Sequence, residues 1–392
     1  MAKTRIHSIL APIDPEINIS TRTTLDYYVT LPEKYNNNKP YPIVFCIPGY
    51  GDHAGTDYQT SKLRPYIADK YNVIAVGVRY HHDLRTEQNV EFSLENICYF
   101  YNVQRSYFNG VDSFDSLLHR LYLLLVERSI FQLDPRVSPK QHSHHQYSSF
   151  GFLPAIDHLT VLHDLLKKYQ VDKSKINVFG TSYGGYVAML MGKFAPFTFS
   201  VIIENSGFSV TQIKDIFSNR IDGSAGITYP RTINGKRYEI PVVVDTLWTE
   251  DETSSFYFSD ANRKIRNLLL PEHITPSNTM YFCFHSVSDE IAPISLKDMF
   301  YEKMRDSHRI YYNRIEERHI DGKMFKNTSH GMDASLRSLY DYCIDQCSGI
   351  PNEETELTDF DIGSLYEFAC SDKVYCFQYS ATGLKVEIKP RY

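Results

Sequence analysis

Several things are scarce in this 392-residue sequence, and each scarcity removes a class of function. Lys and Arg number 41 against 47 Asp and Glu, a formal net charge of −6. No basic excess advertises a nucleic-acid surface. Long hydrophobic runs are missing; the strongly apolar stretch Leu121–Val126 is far too short to span a bilayer. The first fifteen residues hold no signal-peptide core, because Ile9, Leu10 and Ala11 run straight into Pro12. The seven cysteines are odd in number and scattered from Cys46 to Cys376, a poor disulfide framework. The expectation is a reduced, cytoplasmic protein with no membrane span. Tryptophan occurs once, as Trp248.

What is plentiful is the other aromatics. Tyr and Phe number 30 and 23, enough for several buried clusters and a lined pocket. Short apolar, β-branched runs recur at Tyr41–Ile47, Val73–Val78, Ile176–Phe179, Phe199–Ile203, Met280–Phe284 and Ile310–Ile315. Such runs suit strands buried on both faces. Helical periodicity lies between and after them, over Phe152–Tyr169, Tyr183–Lys193 and Ala334–Gln346. The alternation predicts an α/β protein, a mostly parallel central sheet flanked by helices. Thr23–Leu31 alternates as an antiparallel strand would. Stretches 81–150 and 208–278 break the rhythm and read as cap insertions in a domain spanning 1–347. Residues 348–392 read as a C-terminal β appendage, with strands Lys373–Tyr379 and Leu384–Ile388 about a turn at Thr382–Gly383.

The most informative segment is Val178–Tyr186, VFGTSYGGY. Gly180, Ser182 and Gly184 form G-x-S-x-G between a strand and a helix. In that setting the serine sits on a sharp turn where only small flanking residues fit, its hydroxyl presented at the end of the sheet. A serine hydroxyl is a weak nucleophile; it needs a base, and the base needs an acid to fix its tautomer. Asp289 follows the strand Met280–Phe284, and His330 follows the strand Ile310–Ile315, in the chain order Ser, Asp, His. Asp289 is therefore read as the orienting acid and His330 as the general base. Glu290, Glu204 and His319 are the competing assignments. For the oxyanion hole, the backbone N–H groups of Tyr183 and Tyr50 are favoured, the latter in the loop PGYGDHAG, with Gly51 as the fallback donor. Tyr80 and His81, at a strand end beside that loop, and Trp248, in the second insertion, are candidate pocket residues alongside Gly51. Asp157 and His158 read as a structural pair on a helix. The local cluster His142, His144 and His145 reads as a solvated loop, so neither metal nor cofactor is expected.

These residues resemble the α/β-hydrolase superfamily. GTSYGGY is similar to the elbow of prolyl-oligopeptidase-type serine hydrolases, although no propeller-length N-terminal region precedes it. VGVRYH at Val76–His81, YSSFGFLPAIDH at Tyr147–His158 and IIENSG at Ile202–Gly207 also resemble an uncharacterised bacterial hydrolase-like family. Some of its members sit near flagellin-glycosylation genes. The resemblance implies a serine esterase or deacylase working on a small-molecule or carbohydrate acyl substrate. Acyl transfer to a sugar, cleavage of small peptides, and a non-catalytic binding module on the same fold are the alternatives. The oligomeric state is not legible.

Overall fold

The computed structural model describes residues 1–19, 22–50, 52–81, 90–141, 147–212, 216, 227–244, 247–347 and 356–391. The chain forms two compact units. The first comprises Met1–His81, Gly151–Thr211 and Ser259–Tyr392; the second comprises His82–Phe150 and Gln212–Phe258.

The first unit is built on eight strands: β1 (Lys3–Leu10), β2 (Thr24–Leu31), β3 (Tyr41–Ile47), β4 (Ile74–Val78), β5 (Val171–Thr181), β6 (Val201–Asn205), β7 (Met280–Ser286) and β8 (Arg309–Ile315). Their order is β1-β2-β4-β3-β5-β6-β7-β8. The pairings β1/β2 and β2/β4 are antiparallel; from β4 to β8 every neighbour is parallel. Parallel neighbours need crossovers, and those crossovers place helices on both faces. One face is covered by α1 (Arg64–Tyr71) and α4 (Leu336–Cys347). There Ile67, Ala68, Leu339 and Tyr340 form one core with Val44, Cys46, Phe179, Ile203 and Phe282. The pleat turns the alternate residues of β3 the other way, and Phe45 meets His158 of α2 (Phe152–Lys168) edge-on. The central strands β4, β6 and β7 are buried at every position, which is why their sequences run apolar without alternation.

Ser259–Asn278, read as part of the second insertion, belongs to the first unit. Buried Arg266 pairs there with Glu16, with Nη1 2.7 Å from Oε1, and the Tyr186 hydroxyl donates to the Arg266 carbonyl at 2.5 Å. The C-terminal strands β9 (Leu365–Cys370), β10 (Lys373–Ser380) and β11 (Gly383–Pro390) make a small antiparallel sheet that also lies in the first unit. Phe377 of β10 stacks on Phe194 with centroids 4.3 Å apart, and the Tyr379 hydroxyl donates to the Phe194 carbonyl at 2.8 Å.

The second unit has its own core. Helices Leu94–Tyr101 and Phe114–Arg128 start on serine caps, Ser93 and Ser113, whose hydroxyls accept backbone N–H groups. Leu117, Leu121 and Leu125 of the longer helix pack with Ile240 and Val242 of strand Lys236–Val244. That strand sits in a four-stranded sheet with Val90–Glu91, Lys140–Gln141 and Ile227–Ile233. Among the described residues, no helix is long and apolar enough to cross a membrane.

Candidate active site

β5 ends at Thr181 and the helix α3 (Tyr183–Phe194) begins at Tyr183, so Ser182 alone makes the turn. It does so at φ 53° and ψ −122°, a conformation L-residues rarely adopt and one that costs roughly 1–3 kcal/mol. The surroundings hold it there. Ser182 N–H donates to the Asn205 carbonyl of β6 at 2.6 Å. A Cβ on Gly180 would stand 2.2 Å from the Gly184 carbonyl oxygen, and one on Gly184 would stand 2.2 Å from that of Ile47. No side chain fits at either position, which is the physical content of the G-x-S-x-G spacing.

The strand-end loops bring an imidazole and a carboxylate to this turn. Ser182 Oγ lies 2.7 Å from His330 Nε2. His330 Nδ1 lies 2.8 Å and 3.0 Å from the two carboxylate oxygens of Asp289. An ionised carboxylate only accepts, so Nδ1 carries the hydrogen and Nε2 turns its lone pair to the serine hydroxyl. Asp289 follows β7 in a tight turn, where Oδ1 also accepts N–H groups of Ile291 at 2.9 Å and Ala292 at 2.8 Å. Burial works against its charge. The hydrogen bonds from His330 and Ala292 outweigh that burial and hold the carboxyl below its usual range. A second imidazole, His285, stands 3.5 Å from Asp289. Its Nε2–H donates to the Ala292 carbonyl at 2.7 Å, while burial first and the Lys297 charge second push its pKa down. It braces the turn as a neutral ring.

His330 sits on a turn that needs a left-handed backbone at three successive residues: Gly331 at φ 76°, Met332 at 57° and Asp333 at 44°. Two side chains at the end of β6 hold that turn. Ser206 Oγ accepts the Gly331 N–H at 3.1 Å, and Asn205 Nδ2 donates to the Gly331 carbonyl at 3.3 Å. Asn205 thus touches the serine turn through its backbone and the histidine turn through its side chain. The sequence reading did not single out this pair. The available signal was two polar residues at the carboxyl end of a buried strand, where ligand-binding groups of such sheets gather.

The competing residues are engaged elsewhere. Glu204 is buried against Lys297 at 3.1 Å and the Tyr301 hydroxyl at 3.1 Å, accepts the Gly207 N–H at 2.7 Å, and also meets the Cys283 thiol. Glu290 is exposed. His319 is exposed, and its Nδ1 accepts the Glu316 N–H at 2.9 Å.

The loop after β3 passes directly beside the serine: a Cβ on Gly49 would lie 3.0 Å from Ser182 Cβ. The Tyr50 ring stacks on the Tyr183 ring, centroids 4.1 Å apart. Tyr183 is the first residue of α3, so its amide is one the helical ladder does not use. Gly51 lies outside the described residues, as do His142, His144 and His145. Tyr80 and His81, read as pocket candidates, are buried supports. The Tyr80 hydroxyl donates to the Pro48 carbonyl at 2.9 Å. The His81 N–H donates to Asp157 at 2.6 Å, and Asp157 in turn pairs with Arg22 at 2.8 Å. The Tyr80 bond to Pro48 holds the start of the loop that carries Tyr50. Trp248 is buried in the second unit, where Nε1–H donates to the Ser148 carbonyl at 3.0 Å and the ring meets Tyr147 and Phe258 edge-on.

Antiparallel strands leading into a parallel sheet, in the order 1-2-4-3-5-6-7-8 with a serine at the β5–α3 elbow, define an α/β-hydrolase fold. Within it, the chain belongs to the family described as "Protein of unknown function (DUF2920)", whose model matches residues 5–104 and 128–388. No curated protein matches the chain. Among solved structures it is similar to the Pyrococcus horikoshii acylaminoacyl peptidase, at 15% identity and a TM-score of 0.44, over 92% of this chain and 43% of that one. It is also similar to Porphyromonas gingivalis dipeptidyl peptidase 4, at 11% identity and a TM-score of 0.43, over 89% and 35% of the two chains. A Thermogutta terrifontis esterase matches at 12% identity and a TM-score of 0.44, over 89% and 92%. The chain thus spans less than half the length of these two peptidases.

Proposed function

We propose that this protein is a serine hydrolase that cleaves acyl esters through a covalent acyl-enzyme. The observation that carries the reading is the unbroken hydrogen-bonded series from Ser182 Oγ to His330 to Asp289, at 2.7 Å and 2.8 Å, on a strained elbow. In the proposed cycle Ser182 Oγ attacks the ester carbonyl carbon as His330 Nε2 takes its proton. Asp289 stabilises the resulting imidazolium without being protonated. The backbone N–H groups of Tyr183 and Tyr50 receive the charge developing on the carbonyl oxygen. Collapse expels the alcohol, which takes the proton from His330. Water then repeats the sequence and releases the acid. An acylated carbohydrate is the substrate class that the sequence resemblance brings. The test is a series of nitrophenyl esters of increasing acyl length assayed with wild type and Ser182→Ala. The reading expects hydrolysis by wild type, with turnover reduced by about 10⁶ in the variant. Equal rates from the two proteins would remove it.

A further inference from the structure

The catalytic series leaves one buried ion pair without a role. Glu204, fully buried on β6, pairs at 3.1 Å with Lys297, 1% exposed, on the helix Ile294–Met304 that follows the Asp289 turn. Such a pair adds little net stability, because desolvating two charges offsets their attraction; apolar side chains of the same volume serve a core as well or better. The pair therefore calls for another use. The two carboxylate oxygens face different elements. Oε1 accepts from Lys297 Nζ and from the Tyr301 hydroxyl at 3.1 Å, both on that helix, and meets the Cys283 thiol of β7. Oε2 accepts the Gly207 N–H at 2.7 Å.

Gly207 closes the turn through which the end of β6 reaches both the serine and the histidine. That turn is left-handed at Ser206, φ 56°, a conformation that costs a non-glycine residue energy. Two hydrogen bonds keep it there. Ser206 N–H donates to the Phe284 carbonyl of β7 at 2.9 Å, and Gly207 N–H donates to Glu204. The first turn of α3 lies against it; a Cβ on Gly207 would stand 2.9 Å from Tyr186 N and 2.8 Å from Glu204 Oε2. From this turn Ser206 Oγ accepts the Gly331 N–H, while Asn205 donates to the Gly331 carbonyl and accepts the Ser182 N–H. A carboxylate answers every donor around it. It accepts at about four lone pairs, and Gly207, Lys297, Tyr301 and Cys283 all approach with hydrogens. A glutamine has one accepting oxygen. Turned towards Gly207, it sets its NH2 against the Lys297 ammonium; turned towards Lys297, it abandons Gly207.

We propose that Glu204 is a positioning residue for the general base: oriented by Lys297 and Tyr301, its Oε2 holds the Gly207 N–H and with it the turn that aims His330 at Ser182. The inference rests on the hydrolase reading. The test compares wild type with Glu204→Gln, Glu204→Gln/Lys297→Met and Glu204→Met/Lys297→Met. It reads the rate and concentration dependence of Ser182 labelling by a fluorophosphonate, together with thermal unfolding. Labelling needs His330 to take the serine proton, so its maximal rate reports the aim of the base. Glu204→Gln should label about tenfold more slowly, with the half-saturating probe concentration within about a factor of two of wild type. Removing Lys297 as well lets the amide oxygen return to Gly207, so Glu204→Gln/Lys297→Met should recover to within about threefold of wild type. Glu204→Met/Lys297→Met, neutral but without an acceptor, should stay slow although it unfolds near the wild-type temperature. If that variant does not fold, the two glutamine variants still test the proposal. Equal labelling rates in all the proteins overturn it while leaving the hydrolase reading intact. So does a Glu204→Gln/Lys297→Met protein that stays as slow as Glu204→Gln, which would make the effect one of packing. An unlabelled wild type removes the hydrolase reading and the proposal together.

Discussion

At the scale of single residues, Ser182 and Asp289 carry distinct predictions. The elbow conformation of Ser182 is imposed by its neighbours, so Ser182→Ala keeps the turn and removes only the nucleophile. Asp289→Asn keeps the size of the side chain but offers His330 Nδ1 an amide that can donate, favouring the wrong tautomer. Turnover should fall by about 10⁴, with thermal stability little changed. A loss of activity matched by unfolding would show instead that the carboxylate serves packing. Gly184→Ala is the opposite kind of change. Its Cβ would meet the Ile47 carbonyl oxygen at 2.2 Å, so the β5–α3 junction must shift and both stability and activity should fall.

At the scale of elements, the strand ends do the positioning. The end of β6 supplies Asn205 and Ser206, which fix the two carbonyl- and amide-bearing sides of Gly331 and so the aim of His330. Ser206→Ala should lower kcat about tenfold while leaving KM within a factor of about two, since one neutral hydrogen bond orienting the base is lost and nothing that would hold substrate. Ser206→Thr, which keeps a hydroxyl, should recover most of the rate; an equal loss in both variants would make the effect one of packing. How much was legible in the sequence follows from the same geometry. The buried strands β3, β4, β6 and β7 were readable because burial on both faces forces unbroken apolar runs. The elbow was readable because its two glycines are sterically compelled. The edge strand β1 was not: KTRIHSIL is largely exposed and carries no apolar period, and only its pairing with β2 makes it a strand. Asn205 and Ser206 are marked in the sequence only as polar residues closing a buried strand, because hydrogen bonds across 125 residues leave no pattern of their own. Tyr80 and His81 follow the end of β4, and no sequence pattern marks that they bond inward to the Pro48 carbonyl and to Asp157.

At the scale of the whole molecule, buried histidines set the acid limit of stability. His158, His273 and His308 are each pushed down to about 4, in every case first by burial. Unfolding returns them to ordinary values near 6.5, so between about pH 6.5 and 4 the unfolded chain binds more protons than the folded one. Stability should therefore be fully present above that window and fall as pH drops through it. Urea unfolding at pH 7, 5.5 and 4.5 checks this, and His158→Gln should flatten the dependence; a pH-independent midpoint across the window would refute it. The aromatic abundance has a structural use at this scale, in clusters such as Phe152, Phe194, Phe368 and Phe377 that seat the C-terminal sheet on α2 and α3. The central claim concerns one atom, Ser182 Oγ, and intact-protein mass spectrometry after treatment with a fluorophosphonate tests it most directly. The account predicts one adduct per chain, mapped to Ser182 and absent from Ser182→Ala. An unlabelled wild-type protein, or equal labelling of both, would contradict it.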